Sequence, residues 1–185
     1  MRLSSSIFIF HRRKKGKGRM RTIAYDRAAA VRYAHTWAYR RNPRYYDFEL
    51  LGGDCTNFAS QCLYAGSGVM DYRPTFGWYY ISPGNRAPAW TGVEYLYHYL
   101  TRAQPAPGPA ARDAGIDELE PGDLVQLSFD GLRWQHCPIV VSVGEPRSPG
   151  SILVAAHSAD ADDRPLATYS YVLLRYLHVI GVNQA

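Results

Sequence analysis

The chain has 185 residues, of which 46% are hydrophobic and 14% aromatic, enough for one domain with a substantial core. Its net charge of +5 is confined to the start: residues 1–21 hold eight of the 21 Lys and Arg residues and no acid, so residues 22–185 carry −3. A basic nucleic-acid-binding body is therefore excluded, and no apolar stretch reaches the length of a transmembrane helix.

We predict a basic disordered tail at residues 1–21 and one folded domain at residues 22–185. The cluster from Arg12 to Arg19 suits contact with anionic polymers or lipids, but no specific nucleic-acid partner is indicated. The apolar run from Ile7 to Phe10 is shorter than the core of a signal peptide, and the basic cluster follows it instead of preceding it. The cytoplasm is therefore the default location, and a location at the cell wall remains the alternative. The sequence does not indicate an oligomeric state.

Helical patterns fill the first half of the chain. Apolar spacing and capping residues predict three helices, over residues 26–41, 55–64 and 91–100. Asn42-Pro43 ends the first helix, and the turn Gly52-Gly53 precedes the second. Residues 69–90 show no clear period and are predicted to be irregular.

Strand patterns fill the second half. They predict four strands, over residues 123–129, 134–143, 152–157 and 173–182. The first two form a hairpin around Asp130-Gly131. The Pro- and Ala-rich residues 104–114 are predicted to be a surface loop, and residues 160–165 a charged turn. Helices followed by an antiparallel sheet predict an α+β fold.

Cys55 stands where the second helix begins, directly after Gly52-Gly53-Asp54. Asp54 is a good N-cap, and the unpaired N–H groups and dipole of a helix start favour negative charge. This position predicts a lowered thiol pKa and a nucleophilic thiolate. The backbone N–H of Cys55 is a natural oxyanion donor, and the candidates for a second donor are Tyr45, Tyr46 and Asn57.

His136 opens the second predicted strand and is the candidate base. A nucleophilic cysteine, a histidine base and a polar group that orients the histidine form the logic of cysteine hydrolases. The segment after the third predicted strand offers three candidates for the orienting group: His157, Ser158 and Asp160.

In this order, these segments resemble a known family. The stretches GGDCTNFASQC, PGDLVQL, WQHCPIVV and AAHSADADDRPL are similar to the bacterial "putative amidase" domain of the papain-like superfamily, a relative of NlpC-like and CHAP cell-wall amidases and peptidases. The resemblance covers roughly Tyr25 to Val182. It implies a papain-like α+β core with N-terminal helices packed on the sheet. Only Cys137-Pro138 departs mildly from the family's pattern, just after the strand histidine.

The resemblance also implies a site and an activity. The implied catalytic residues are Cys55, His136 and His157, with oxyanion or site support from Asp54, Asn57 and Asp160. The implied activity is hydrolysis of peptide amide bonds through a thioester acyl-enzyme, with peptidoglycan stem peptides among the substrates. No cofactor is implied.

Three other functions use the same residues. An acyltransferase would employ the same Cys–His pair. A non-catalytic module would keep the fold and bind ligands through the irregular, Trp- and Tyr-containing residues 69–90 and through the basic tail. A zinc site would use Cys55, Cys62, Cys137, His136 and His157. It is disfavoured because closed sites have short paired spacings, which are absent from this sequence, so no metal is expected. Cys62 and Cys137 are expected in the core, since Cys62 would lie about 10 Å from Cys55 along one helix, too far for a disulfide.

Overall fold

A computed structural model describes residues 20–184. The predicted tail therefore lies outside the described residues, apart from its last two positions. The first strand, β1 (Arg21–Ile23), pairs antiparallel with the end of the last strand, and Arg21 lies opposite Gln184. Among the described residues, the sheet therefore begins at Arg21.

Two longer helices, α1 (Arg27–Trp37) and α2 (Cys55–Ser67), pack on each other. The side chain of Asp26 caps α1 by accepting a hydrogen bond from the backbone N–H of Ala29 at 2.8 Å. The helix α1 ends four residues before its predicted end, and α2 ends three residues after its own, at Ser67, with Gly68 as the C-cap at φ of 62°. No helix between residues 20 and 184 is long and apolar enough to cross a membrane.

The segment predicted to be irregular contains short elements: β2 (Tyr80–Ser82), β3 (Asn85–Arg86) and α3 (Pro88–Thr91). The helix α4 (Val93–Leu100) follows, and its N-cap is Gly92 in place of Thr91. The two tryptophans of this segment, Trp78 and Trp90, are fully buried with ring centroids 4.9 Å apart. Burial of these aromatic rings therefore stabilises a segment whose sequence has no apolar periodicity.

The sheet is antiparallel throughout, so the predicted α+β class is confirmed. Its remaining strands are β4 (Gly108–Ala114), β5 (Leu124–Ser128), β6 (Ile139–Val143), β7 (Ile152–Ala156), β8 (Ala161–Pro165) and β9 (Leu173–Gln184). The order is β1-β9-β5-β6-β7-β8, and β4 also pairs with β9. The predicted hairpin forms: β5 pairs with β6, and a further bridge joins Leu127 to His136.

Two strands, β4 and β8, were expected to be a loop and a turn, and those expectations were wrong. Each pairs with a single neighbour, so both are edge strands. Edge strands tolerate proline and charged residues because one side of their backbone makes no ladder bonds. Pro109 and Asp162 therefore lie in strands whose sequences lack the usual pattern of alternating apolar residues.

Apolar residues cover both faces of the sheet. The helices pack on one face, in a cluster that includes Phe58, Cys62, Cys137 and Ile139. A smaller cluster on the other face includes Leu127, Val140 and Tyr169. Cys62 and Cys137 are fully buried, as expected.

Gly66 marks the closest approach of α2 to the start of α1. A Cβ atom there would lie 2.3 Å from the ring of Tyr25 and 2.7 Å from the backbone oxygen of Asp26. We expect Gly66→Ala to lower the free energy of unfolding by about 2 kcal/mol, because overpacking exceeds the gain in helix propensity. Gly84→Ala is the control, since a Cβ there meets nothing within 4 Å. Equal denaturation midpoints for the two variants would contradict the prediction.

Candidate active site

The turn before α2 presents Cys55 at the first position of the helix. Gly52 and Gly53 have φ of 109° and 105°, which side chains other than glycine rarely adopt. A Cβ on Gly53 would also lie 3.1 Å from the hydroxyl oxygen of Ser158. Cys55 is 7% exposed, so its sulfur reaches the surface only narrowly.

The sulfur of Cys55 lies against the backbone that leads into β6. It is 3.9 Å from the carbonyl oxygen of Gln135 and 3.8 Å from the hydroxyl of Thr56. The backbone N–H groups of Cys137 and Thr56 also interact with the thiol. The fold therefore brings the sulfur of Cys55 next to the backbone of Gln135 and Cys137, the two residues that flank His136.

The ring of His136 is 4% exposed and packs among aromatic side chains. Its centroid lies 5.4 Å from that of Tyr169 and 6.3 Å from that of Phe129. Burial, with a smaller contribution from the charge of Arg164, lowers the pKa of His136 to about 4. Within residues 20–184, Nε2 of His136 has no hydrogen-bond partner, and the ring makes no hydrogen bond to the sulfur of Cys55.

The thiol pKa differs from the expectation drawn from the helix start. Burial raises the pKa of Cys55 above its ordinary value of 9.0, and the hydrogen bonds from Thr56 and the backbone only partly oppose this. Desolvation disfavours the thiolate more than the helix start favours it. Both the thiol of Cys55 and the imidazole of His136 are therefore neutral at rest.

Asp54 is fully buried and binds four groups around the turn. Its Oδ1 accepts hydrogen bonds from the backbone N–H of Phe48 at 2.9 Å and from Nδ2 of Asn57 at 2.8 Å. Its Oδ2 lies 2.6 Å from Nδ1 of His157. Its backbone N–H donates to the hydroxyl of Ser158 at 2.7 Å. Asp54 thus fixes the turn through its carboxylate, in place of the side-chain cap expected from the sequence.

His157 contacts Asp54 and not His136. Its Nε2 lies 2.9 Å from the carbonyl oxygen of Trp37, which can only accept, so Nε2 carries a proton. A proton also lies between its Nδ1 and the Asp54 carboxylate, which makes this contact a buried charge-assisted pair. The ring stacks on Phe58 with centroids 4.0 Å apart.

The other candidates for support are also bound elsewhere. Asp160 accepts two hydrogen bonds from the guanidinium of Arg41, both at 2.9 Å. The hydroxyl of Ser158 donates to the carboxylate of Glu49 at 2.8 Å. None of the three residues expected to orient His136 therefore bonds to it within the described part of the chain.

The side chain of Asn57 is fully engaged in the fold. Its amide donates to the carbonyl oxygen of Tyr46 and to Asp54, and its oxygen accepts from the indole of Trp90 at 2.8 Å. Asn57 therefore supports the turn and has no free amide hydrogen for an oxyanion. The backbone N–H of Cys55 is among the donors that a helix start leaves without an intrahelical acceptor.

Sequence reasoning missed Tyr169 and Arg41. The chain has 15 tyrosines, and nothing in the local pattern distinguishes Tyr169 from the others.

Side chains close enough to share a metal ion occur, within residues 20–184, at His35, Asp162 and Asp163. That set contains neither the cysteines nor the histidines of the zinc alternative.

Residues 24–179 match the family described as "Putative amidase domain", and the chain belongs to that family. A protein of Bacillus subtilis (strain 168), named "Uncharacterized protein YhbB", is 35% identical over 144 residues. The alignment covers 76% of this chain and 44% of that relative, so this chain spans less than half of the relative's length. No solved structure shows a significant match.

The raised thiol pKa has a direct consequence for labelling. We expect Cys55 to be the first cysteine alkylated by iodoacetamide, because Cys62 and Cys137 are completely buried. The rate should be low at pH 7 and should still rise with pH beyond 9.0, because burial disfavours the thiolate. Mass spectrometry after timed labelling measures this, with Cys55→Ala as the control. A rate that is already maximal at pH 7 would show that the helix start dominates.

The lowered pKa of His136 predicts acid sensitivity. Its pKa is about 4 when folded against an ordinary value of 6.5, so the unfolded chain binds the proton first. Its contribution to stability is complete above pH 6.5 and should decline by about 3 kcal/mol as the pH falls to 4. Urea denaturation of the wild type and His136→Gln at several pH values measures the difference. Parallel pH dependence in both proteins would contradict the prediction.

Proposed function

We propose that this protein is a cysteine amidase in which Cys55 is the nucleophile and His136 the base. The observation that carries the proposal is the position of the Cys55 sulfur, at a helix start and 3.9 Å from the carbonyl oxygen of the residue before His136. In the sequence the cysteine and the histidine are 81 positions apart, and the fold brings the sulfur of Cys55 to the residues on either side of His136. Catalytic hydrogen bonds are often long in the absence of substrate and tighten when it binds.

Membership in a family of amidase domains supports hydrolysis of an amide bond. The arrangement also agrees with a papain-like core of the NlpC and CHAP kind, in which the nucleophile begins a helix packed on an antiparallel sheet. In this protein α2 packs on the face of the sheet that carries Cys137 and Ile139. His136 lies three residues before β6 and is joined to the same sheet by a bridge to Leu127 of β5.

The first step begins from the neutral pair. His136 removes the thiol proton as the sulfur attacks the carbonyl carbon, so that a C–S bond forms and the carbonyl oxygen becomes negative. The backbone N–H of Cys55 is placed to stabilise that oxygen. The C–N bond then breaks, and His136 gives its proton to the departing amine.

The second step releases the acid. Water gives a proton to His136 and attacks the thioester, a C–O bond forms, and the C–S bond breaks with return of the proton to the sulfur. An amine or hydroxyl in place of water would give acyl transfer. Peptide amides are the proposed substrate class, and cell-wall stem peptides are the first natural candidates to test.

Three variants test the mechanism on fluorogenic dipeptide amides and purified stem peptides. Cys55→Ala should have no measurable activity, because no other group can form the acyl-enzyme. His136→Ala should be nearly as severe, since base and nucleophile act as one unit. His157→Gln should keep measurable activity but lose about 3 kcal/mol of stability, because it breaks a buried hydrogen-bonded contact with the Asp54 carboxylate.

His98→Ala is the histidine control, because that side chain is 74% exposed. It should match the wild type in rate and stability. If Cys55→Ala keeps the activity of the wild type, the cysteine mechanism is wrong. If the wild type binds these peptides without cleaving them, the domain is a binding module.

A further inference from the structure

Two buried polar atoms without partners lie on neighbouring rings beside the proposed site. They are Nε2 of His136 and the hydroxyl of Tyr169: within residues 20–184 neither has a partner in good hydrogen-bond geometry, although the guanidinium of Arg164 lies close enough to the phenol to act on its pKa. The ring centroids are 5.4 Å apart and the planes differ by 42°. Leaving a buried polar group unpaired costs about 1–3 kcal/mol, so nearly all such groups in folded proteins are paired. Two such atoms on neighbouring rings point to a contact that forms in the working state.

The other side chains considered as partners of His136 do not bond to its Nε2. Phe129, the second aromatic ring beside it, carries no polar atom. His157, Ser158 and Asp160 are bonded to other groups. The phenol of Tyr169 is therefore the partner that the packing offers.

Tyr169 is held firmly in this position. It is 9% exposed, and the guanidinium carbon of Arg164 lies 3.8 Å from the centroid of its ring. Arg164 is itself bonded to the hydroxyl and the carbonyl of Thr168, at 2.8 Å and 3.0 Å. Burial raises the pKa of Tyr169, so the phenol is neutral and its oxygen can accept a hydrogen bond.

We propose that Tyr169 is the positioning residue of His136: its phenol oxygen accepts a hydrogen bond from Nε2–H, directly after a small ring rotation or through one water. This contact keeps the histidine proton on Nε2 and leaves the lone pair of Nδ1 for the thiol of Cys55. The inference rests on the proposed function, in which His136 is the base. It gives Tyr169 the role for which the sequence offered His157, Ser158 and Asp160.

The groups that face His136 set the sign of the effect. They are the guanidinium of Arg164, whose charge lowers the pKa of His136, and the rings of Phe129 and Tyr169. An acceptor on Nε2 stabilises the imidazolium that forms during catalysis. Removal of the hydroxyl should therefore lower the pKa of His136 further and let the proton move to Nδ1.

Tyr169→Phe removes only the hydroxyl, and Tyr171→Phe is the matched control because Tyr171 packs against the same apolar cluster. Histidine 15N chemical shifts of the labelled proteins between pH 3 and pH 8 report the tautomer and titration of His136, and do not require a substrate. We expect an Nε2–H tautomer in the wild type and in Tyr171→Phe, and a growing Nδ1–H fraction in Tyr169→Phe. With a cleaved dipeptide amide, kcat should fall about 10-fold or more in Tyr169→Phe, and KM should change little.

Several outcomes would overturn this role. One is an Nδ1–H tautomer of His136 in the wild type, which decides the matter even if a variant fails to fold. Another is a Tyr169→Phe protein whose His136 tautomer and titration equal those of the control. Loss of activity in Cys55→Ala together with an unchanged Tyr169→Phe would refute the positioning role alone. A tautomer change in Tyr169→Phe together with full activity in Cys55→Ala would refute only the cysteine mechanism.

Discussion

The buried Asp54 carboxylate is the group on which the geometry of the site depends. It joins the segment before the turn through Phe48, the helix α2 through Asn57, and the end of β7 through His157. These contacts connect parts of the chain that are 103 positions apart. Because Cys55 is the next residue, any movement of the carboxylate displaces the sulfur. A charge buried this completely is tolerated only when all its partners are present, so the turn has one well-defined arrangement.

Burial also decides the protonation states at the site. It raises the pKa of Cys55 and lowers that of His136, so both groups rest neutral. In the proposed mechanism, two such neutral groups react by general-base catalysis during attack, and the thiolate need not exist beforehand. The same burial makes the folded state sensitive to acid, because charging His136 requires either water or a partner on Nε2. Stability and reactivity at this end of the sheet therefore have one physical origin.

Local sequence patterns predicted the elements with a clear apolar periodicity. They missed the elements that are stabilised mainly by tertiary contacts. The helices α1 and α2 and the strands β5, β7 and β9 follow apolar periodicity, and they were found with shifted ends. The strands β4 and β8 were taken for irregular segments, because an edge strand needs neither alternating apolar residues nor a free N–H at every position. In residues 69–90, the packing of Trp78 and Trp90 replaces periodicity as the source of order.

The sequence by itself determined that a cysteine begins a helix after a double-glycine turn and that a histidine enters a strand of the following sheet. Glycine freedom, capping and periodicity are local properties, so they can be recognised within a dozen residues. Only the tertiary structure decided which groups these side chains meet: it placed His157 on Asp54, Asp160 on Arg41 and Tyr169 beside His136. Such choices depend on distances between segments far apart in the chain. They also depend on backbone acceptors such as the carbonyl of Trp37, which every residue carries and no sequence pattern marks.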